Sequence, residues 1–155
     1  MNNDFIGTIK EALLEANISE DIAIKSLRAF CRKYGGQKVY FSCSTESKRS
    51  NEIFNLIYDE LGEKYEEVTL GTSEKITRIF LKNFYNISEY VPQEIKIFRR
   101  EIALEILKEY NESKDKNKTQ IEICSRYNIT FVTFLKLRKE AQQILSKKQQ
   151  KKLNI

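Results

Sequence analysis

The side chains that most often carry chemistry are thinly supplied in this 155-residue chain, which has three cysteines, no histidine, and 22 carboxylates against 27 lysines and arginines. Without histidine it lacks the commonest general base and the commonest metal ligand. A cysteine nucleophile would have no imidazole to activate it. Cys31, Cys43 and Cys124 are an odd number at unrelated spacings, which argues against a disulfide framework and against a four-ligand zinc site. They point instead to a reducing compartment, the cytosol. Cys31 falls among the apolar positions of a helix and reads as core. Glu66 and Glu67 are adjacent, so they do not share a helix face. No catalytic constellation is present, and the expectation is a protein that is not an enzyme and needs no cofactor or metal.

The chemistry that remains is recognition of a polyanion. From Ser113 to Ile155 there are eleven basic and three acidic residues, a local net charge of +8. Residues 1–112 carry the other 16 basic and 19 acidic residues, a net of −3. A basic C-terminal third on an acidic body is a directed electrostatic footprint. The competing reading is a solvated lysine-rich tail, Lys147-Lys148-Gln149-Gln150-Lys151-Lys152.

Within the basic third, residues Gln120 to Lys139 (QIEICSRYNITFVTFLKLRK) fit the twenty-residue pattern of a helix-turn-helix. Two short helices are held at a fixed angle there by apolar side chains at set positions. Ile123 and Tyr127 face inward from the first helix, Ile129 plugs the turn, and Phe134 and Leu137 anchor the second helix. Cys124 is small where the helices nearly touch. Asn128 suits a left-handed backbone at the ninth position, and Thr130 is placed to cap the second helix. In the working geometry the second helix enters the major groove of double-stranded DNA. Thr130, Phe131, Val132, Thr133 and Lys136 are then the candidates for base edges. Arg126, Arg138, Lys139 and Thr119 are the candidates for phosphates. Phe131 and Val132 are apolar where readers usually carry polar groups. They fit either thymine methyls or a protein surface.

The elements that must hold this motif are nearly all helical, since proline occurs once and glycine five times in a chain rich in Glu, Lys, Ile and Leu. Asp4 to Ala16 has Phe5, Ile9, Ala12, Leu13 and Ala16 on one face. Ser19 opens a second helix with Ile24, Leu27, Cys31 and Tyr34, stopped by Gly35-Gly36. Gln37 to Phe41 reads as a strand, and Ser47 to Leu61 as a helix closed by Gly62. The pattern then predicts a short helix around Lys64 to Val68 and a helix from a Ser73 cap to about Tyr85. A second extended stretch, Ile87 to Val91, ends at Pro92. One helix is predicted over Glu94 to Tyr110, with a loop over Asn111 to Asn117. No stretch approaches the roughly 20 apolar residues of a membrane span, and Met1-Asn2-Asn3-Asp4 does not read as a signal peptide.

The fold class predicted is therefore mainly α, a helical bundle with one or two short strands and a C-terminal helix-turn-helix. The organisation predicted is a helical dimerisation region over 1–92, a DNA-binding region over 93–145 and a basic tail over 146–155. A faint repeat also runs through the chain. Ser19-Glu20-Asp21-Ile22, Leu27 and Phe30 recur as Ser73-Glu74-Lys75-Ile76, Leu81 and Phe84, and Tyr40 is echoed by Tyr90. A weaker second copy of the motif is conceivable over Tyr65 to Lys82, exposing Ser73, Lys75, Arg78 and Lys82.

The order of elements resembles the Mor (middle operon regulator) transcription activators of Mu-like phages. The resemblance rests on Tyr34-Gly35-Gly36-Gln37-Lys38-Val39-Tyr40 after a helix pair, on Tyr90-Val91-Pro92, on the Arg99-Arg100-Glu101-Ile102 helix, and on the C-terminal helix-turn-helix. It implies a homodimer with strands paired across the two-fold, one reading head per subunit, and activation by recruiting host RNA polymerase in the host cytoplasm. The residues themselves support a dimer only in that a lone short strand needs a partner, and the two strands of one chain could supply it. The competing expectation is a phage-encoded inhibitor on the same scaffold, acting on a host nucleic-acid enzyme or defence ribonucleoprotein.

Overall fold

Three helices in the first half of the chain start by the same device, a hydroxyl that accepts a hydrogen bond from a backbone N–H of the first turn. In the computed structural model, which describes residues 4–41, 47–84 and 86–153, Ser19 accepts from the Ile22 N–H, Ser47 from Ser50 and Thr69 from Thr72. These caps open α2 (Glu20–Tyr34), α3 (Lys48–Leu61) and α4 (Leu70–Asn83). A preceding helix, α1 (Asp4–Glu15), ends where Asn17 takes a φ of 64° and the Ile18 N–H closes back on the Leu13 carbonyl at 3.0 Å.

The predicted Ser73 cap is corrected here. The helix begins four residues earlier, because Thr69 caps it while the Thr72 hydroxyl also donates to the Glu67 carbonyl at 2.9 Å. Ser73 lies buried inside α4. The predicted helix over Lys64 to Val68 is absent. Those residues form turns, with the Tyr65 N–H on the Leu61 carbonyl and the Val68 N–H on that of Tyr65. A second helix-turn-helix over Tyr65 to Lys82 therefore has no first helix and is ruled out.

Strands β1 (Gln37–Tyr40) and β2 (Ser88–Val91) form one antiparallel pair, with Gln37 opposite Val91 and Val39 opposite Glu89. Gly35 and Gly36 make this pairing possible. A Cβ on Gly35 would lie 2.8 Å from the Gln93 Cα and 2.9 Å from the Pro92 carbonyl oxygen, so only glycine lets the two segments approach. Gly36 takes a φ of +84° and its N–H donates to the Val91 carbonyl. Each strand thus finds its partner within the chain, and the strand argument for a second subunit lapses.

The chain divides into two compact units, Met1–Glu94 and Ile95–Ile155. The first is organised around α2, buried on nearly every side. Phe5, Phe30, Phe41, Phe80 and Phe84 cluster there, with the Phe30 and Phe80 centroids 4.7 Å apart and Phe5 and Phe84 5.0 Å apart. Ile9, Leu13, Leu27, Ile53, Ile57 and Ile76 complete the core. Two charges are buried beside it. The Glu94 carboxylate, 4% exposed, accepts from Arg28 Nε at 3.0 Å and from Arg32 Nε at 2.9 Å. Arg32 also reaches Glu60 at 2.9 Å.

Glu94 opens a short α5 (Glu94–Ile97), where the sequence predicts the start of one long helix. The helix is interrupted at Phe98, whose backbone leaves helical geometry (φ −109°, ψ 30°) while its ring is buried, and α6 (Arg99–Glu112) follows. The loop predicted over Asn111 to Asn117 is shorter than expected, because α7 (Lys116–Tyr127) is capped by Asp115, which accepts from the Lys118 N–H. The last helix, α8 (Phe131–Leu153), runs 23 residues. Lys147 to Leu153, expected as a tail, continue it. With no glycine or proline after Asn128 and a run of Ala, Gln, Leu and Lys, nothing stops the helix. The protein is mainly α-helical with one small sheet. Among the described residues no helix is long and apolar enough to cross a membrane.

Candidate nucleic-acid interface

The second unit is a three-helix arrangement in which α6, α7 and α8 pack on one another. Ile102, Ala103 and Ile106 of α6, Ile123 of α7, and Phe134, Leu137 and Ala141 of α8 are at most 1% exposed. These side chains fix the angle between α7 and α8. Asn128 joins the two helices in the left-handed region at φ 52° and ψ 52°, where a side-chain amide tolerates what most residues avoid. Its N–H closes on α7 through the Cys124 and Ser125 carbonyls, and Ile129 donates to Cys124 at 3.0 Å. Thr130 opens α8 by accepting the Thr133 N–H at 3.2 Å. Helix, left-handed turn and capped helix form a helix-turn-helix.

The nine expected contact residues fall into three groups. Phe131 is 50% exposed, Val132 is 59% exposed, and Lys136 and Lys139 are also exposed along α8, so these four share the free side of the helix. Thr130 and Thr133 lie at its start but are occupied by the cap, with the Thr130 hydroxyl donating to that of Thr133 at 3.1 Å. The other three are engaged within the unit. Arg126 binds both oxygens of Glu109, at 2.8 and 2.9 Å, which holds the Glu109 carboxyl below its ordinary range and raises the guanidinium. Arg138 lies 3.8 Å above the Tyr110 ring, with its Nε buried and without a hydrogen bond, so it serves packing more than phosphate contact. Thr119 shares a short hydrogen bond with Ser113 in the turn before α7.

Residues beyond the motif extend the free side. Val132, Lys136, Lys139, Gln143, Lys147 and Gln150 follow one another at intervals of three and four, and all are exposed. They form one stripe about 27 Å long at 1.5 Å per residue. The only carboxylate of α8, Glu140, is bound by Arg99 at 2.7 and 3.0 Å and held below its ordinary range by that pairing. The stripe is therefore free of negative charge. Lysine and glutamine are also side chains that hydrogen-bond phosphates and base edges. Gln143, Lys147 and Gln150 were missed because the twenty-residue motif ends at Lys139 and residues 146–155 read as a tail. Their helical spacing was the available signal.

Other candidates offer less. Burial pushes the Cys31 thiol up to about 12, so it is not a nucleophile at neutral pH. Cys124 is half-buried and also raised by burial, while Cys43 lies outside the described residues. No group of three or more potential metal ligands occurs among the described residues. Compared with protein-family models, with curated proteins and with solved structures, the chain matches none.

Proposed function

We propose that this protein is a non-enzymatic, DNA-binding transcriptional regulator of Mor type from a phage or prophage, acting in the host cytoplasm through α8. The single observation that carries the reading is the carboxylate-free stripe of α8, presented by a helix whose turn and packing are those of a helix-turn-helix. Residues Ile95–Ile155 hold fifteen basic and seven acidic residues, a net of +8 that favours a polyanion. Dimerisation and contact with host RNA polymerase rest on the resemblance to Mor activators alone. Dimerisation would place two heads on a two-fold operator.

A gel shift on duplex DNA over a salt series tests the reading. With about five phosphates neutralised, log affinity falls with log salt at a slope of roughly −4 to −5. Lys136→Ala and Lys139→Ala each weaken binding to all sequences and flatten the slope by about 1. A flat salt response, or no binding at low salt, would favour the second reading. That reading is an inhibitor of a host nucleic-acid enzyme or ribonucleoprotein, and its support is the half-exposed Phe131 and Val132 at the start of α8. It is distinguished by Phe131→Ser, which would then abolish function while leaving DNA binding intact.

A further inference from the structure

The first two turns of α8 present three large apolar side chains to solvent. Phe131 is 50% exposed, Val132 is 59% exposed and Leu135 is 43% exposed. The hydroxyls that could have read hydrogen-bonding groups at this end, Thr130 and Thr133, are bonded to each other and to the Thr133 N–H. The end of the helix that enters a major groove first is therefore apolar, and its polarity begins only at Lys136. It is also held in place, with the Phe131 ring lying at 18° to the buried Phe134 ring and the centroids 6.4 Å apart.

Only one apolar group on base edges distinguishes base pairs in the major groove, the methyl at C5 of a pyrimidine. Thymine always carries it, and cytosine carries it when methylated at C5. We propose that the tip of α8 recognises C5-methyl pyrimidines, with Phe131, Val132 and Leu135 packing on the methyl groups while Lys136 and Lys139 hold the flanking phosphates. This inference rests on the DNA-binding reading above and names what that head selects. Duplex DNA is the occupant favoured over a protein because the apolar tip is continuous with the basic stripe. The one carboxylate of α8 is also neutralised by Arg99, so the surroundings complement a polyanion.

The test begins with the full-length protein and a pool of random duplexes, from which bound sequences are selected. The best site is then synthesised with uracil replacing thymine one position at a time, a change that removes the methyl and leaves every hydrogen-bonding group. The expected result is a loss of about fourfold in affinity at one or more positions, the value of one buried carbon, with the salt slope unchanged. Val132→Ser and Phe131→Ser, each checked by circular dichroism, should abolish the difference between thymine and uracil. Should Phe131→Ser fail to fold, Val132→Ser carries the test. Placing cytosine or 5-methylcytosine opposite guanine at the sensitive positions separates the two sources. A gain on methylation assigns any C5-methyl, and no gain assigns thymine. Equal affinity for thymine and uracil sites, or a pool that yields no preferred sequence, overturns the inference and leaves the DNA-binding reading standing. No binding to any duplex at low salt overturns both.

Discussion

Arginine meets glutamate at the surface of both units, and among the described residues only the first also buries such a pair. In Met1–Glu94 the Arg28 and Glu94 side chains are 5% and 4% exposed, and Arg32 completes a bridge that reaches Glu60. In Ile95–Ile155 the Arg99–Glu140 pair is 44% and 41% exposed, and the Arg126–Glu109 pair 41% and 38%. Burial makes the Arg28–Glu94 pair part of the architecture, since both of these charges have lost their water, while Arg32 and Glu60 stay about one third exposed. The exposed pairs keep most of their hydration and contribute little to stability. They also keep arginines available, because a phosphate can replace a glutamate at small cost. The first unit has one buried pair holding its fold, and the pairs of the second lie at its surface.

The largest effect should come from breaking the buried network. Glu94→Ala removes the buried carboxylate that Arg28 and Arg32 share and should cost about 3–5 kcal/mol in urea denaturation. A loss below 1 kcal/mol would erase the distinction between the units. Phe134→Ala, which empties the centre of the second core, should cost about 3–5 kcal/mol and remove DNA binding with it. Asn128 tests the turn between α7 and α8. At φ 52°, Asn128→Ala should cost about 1–2 kcal/mol, whereas Asn128→Gly should be nearly neutral.

The smallest effect sharpens the comparison most. Glu109→Gln should change stability by less than about 1 kcal/mol, yet it frees Arg126 and should steepen the salt slope of DNA binding by about 1. An unchanged slope would show that Arg126 faces no phosphate. The exposed pairs also have a defined acid dependence. Glu109 and Glu140 are both held below the ordinary value of 4.5 by hydrogen bonds from their arginines. Their small contribution is therefore complete above about pH 4.5 and is lost as the pH falls through the lowered values. It should also shrink at high salt. Thermal melts of wild type and Glu109→Gln should converge below that pH.

What the sequence determined by itself was what depends on neighbours along the chain. Helical spacing, the cap at Ser19, the helix start near Ser47, and the positions Ile123, Asn128, Thr130, Phe134 and Leu137 are local signals, and local backbone and side-chain preferences carry them into the fold. The repeat shows where that reasoning ends. Its apolar pairs Ile22 and Ile76, and Leu27 and Leu81, are all buried, yet Ser19 caps a helix while Ser73 lies inside one. Of the neighbouring cap residues Thr69 and Ser73, the structure uses Thr69, which accepts from the Thr72 N–H while the Thr72 hydroxyl donates to the Glu67 carbonyl. The pairing of β1 with β2 and the burial of Glu94 between Arg28 and Arg32, 66 and 62 residues away, needed contacts that no local pattern encodes. The same holds for the candidate site. Lys136 and Arg138 look alike in sequence, but only packing put one ammonium in solvent and stacked the other cation on Tyr110. Sequence supplies the inventory of charges, and the tertiary structure decides which of them are still free to meet a ligand.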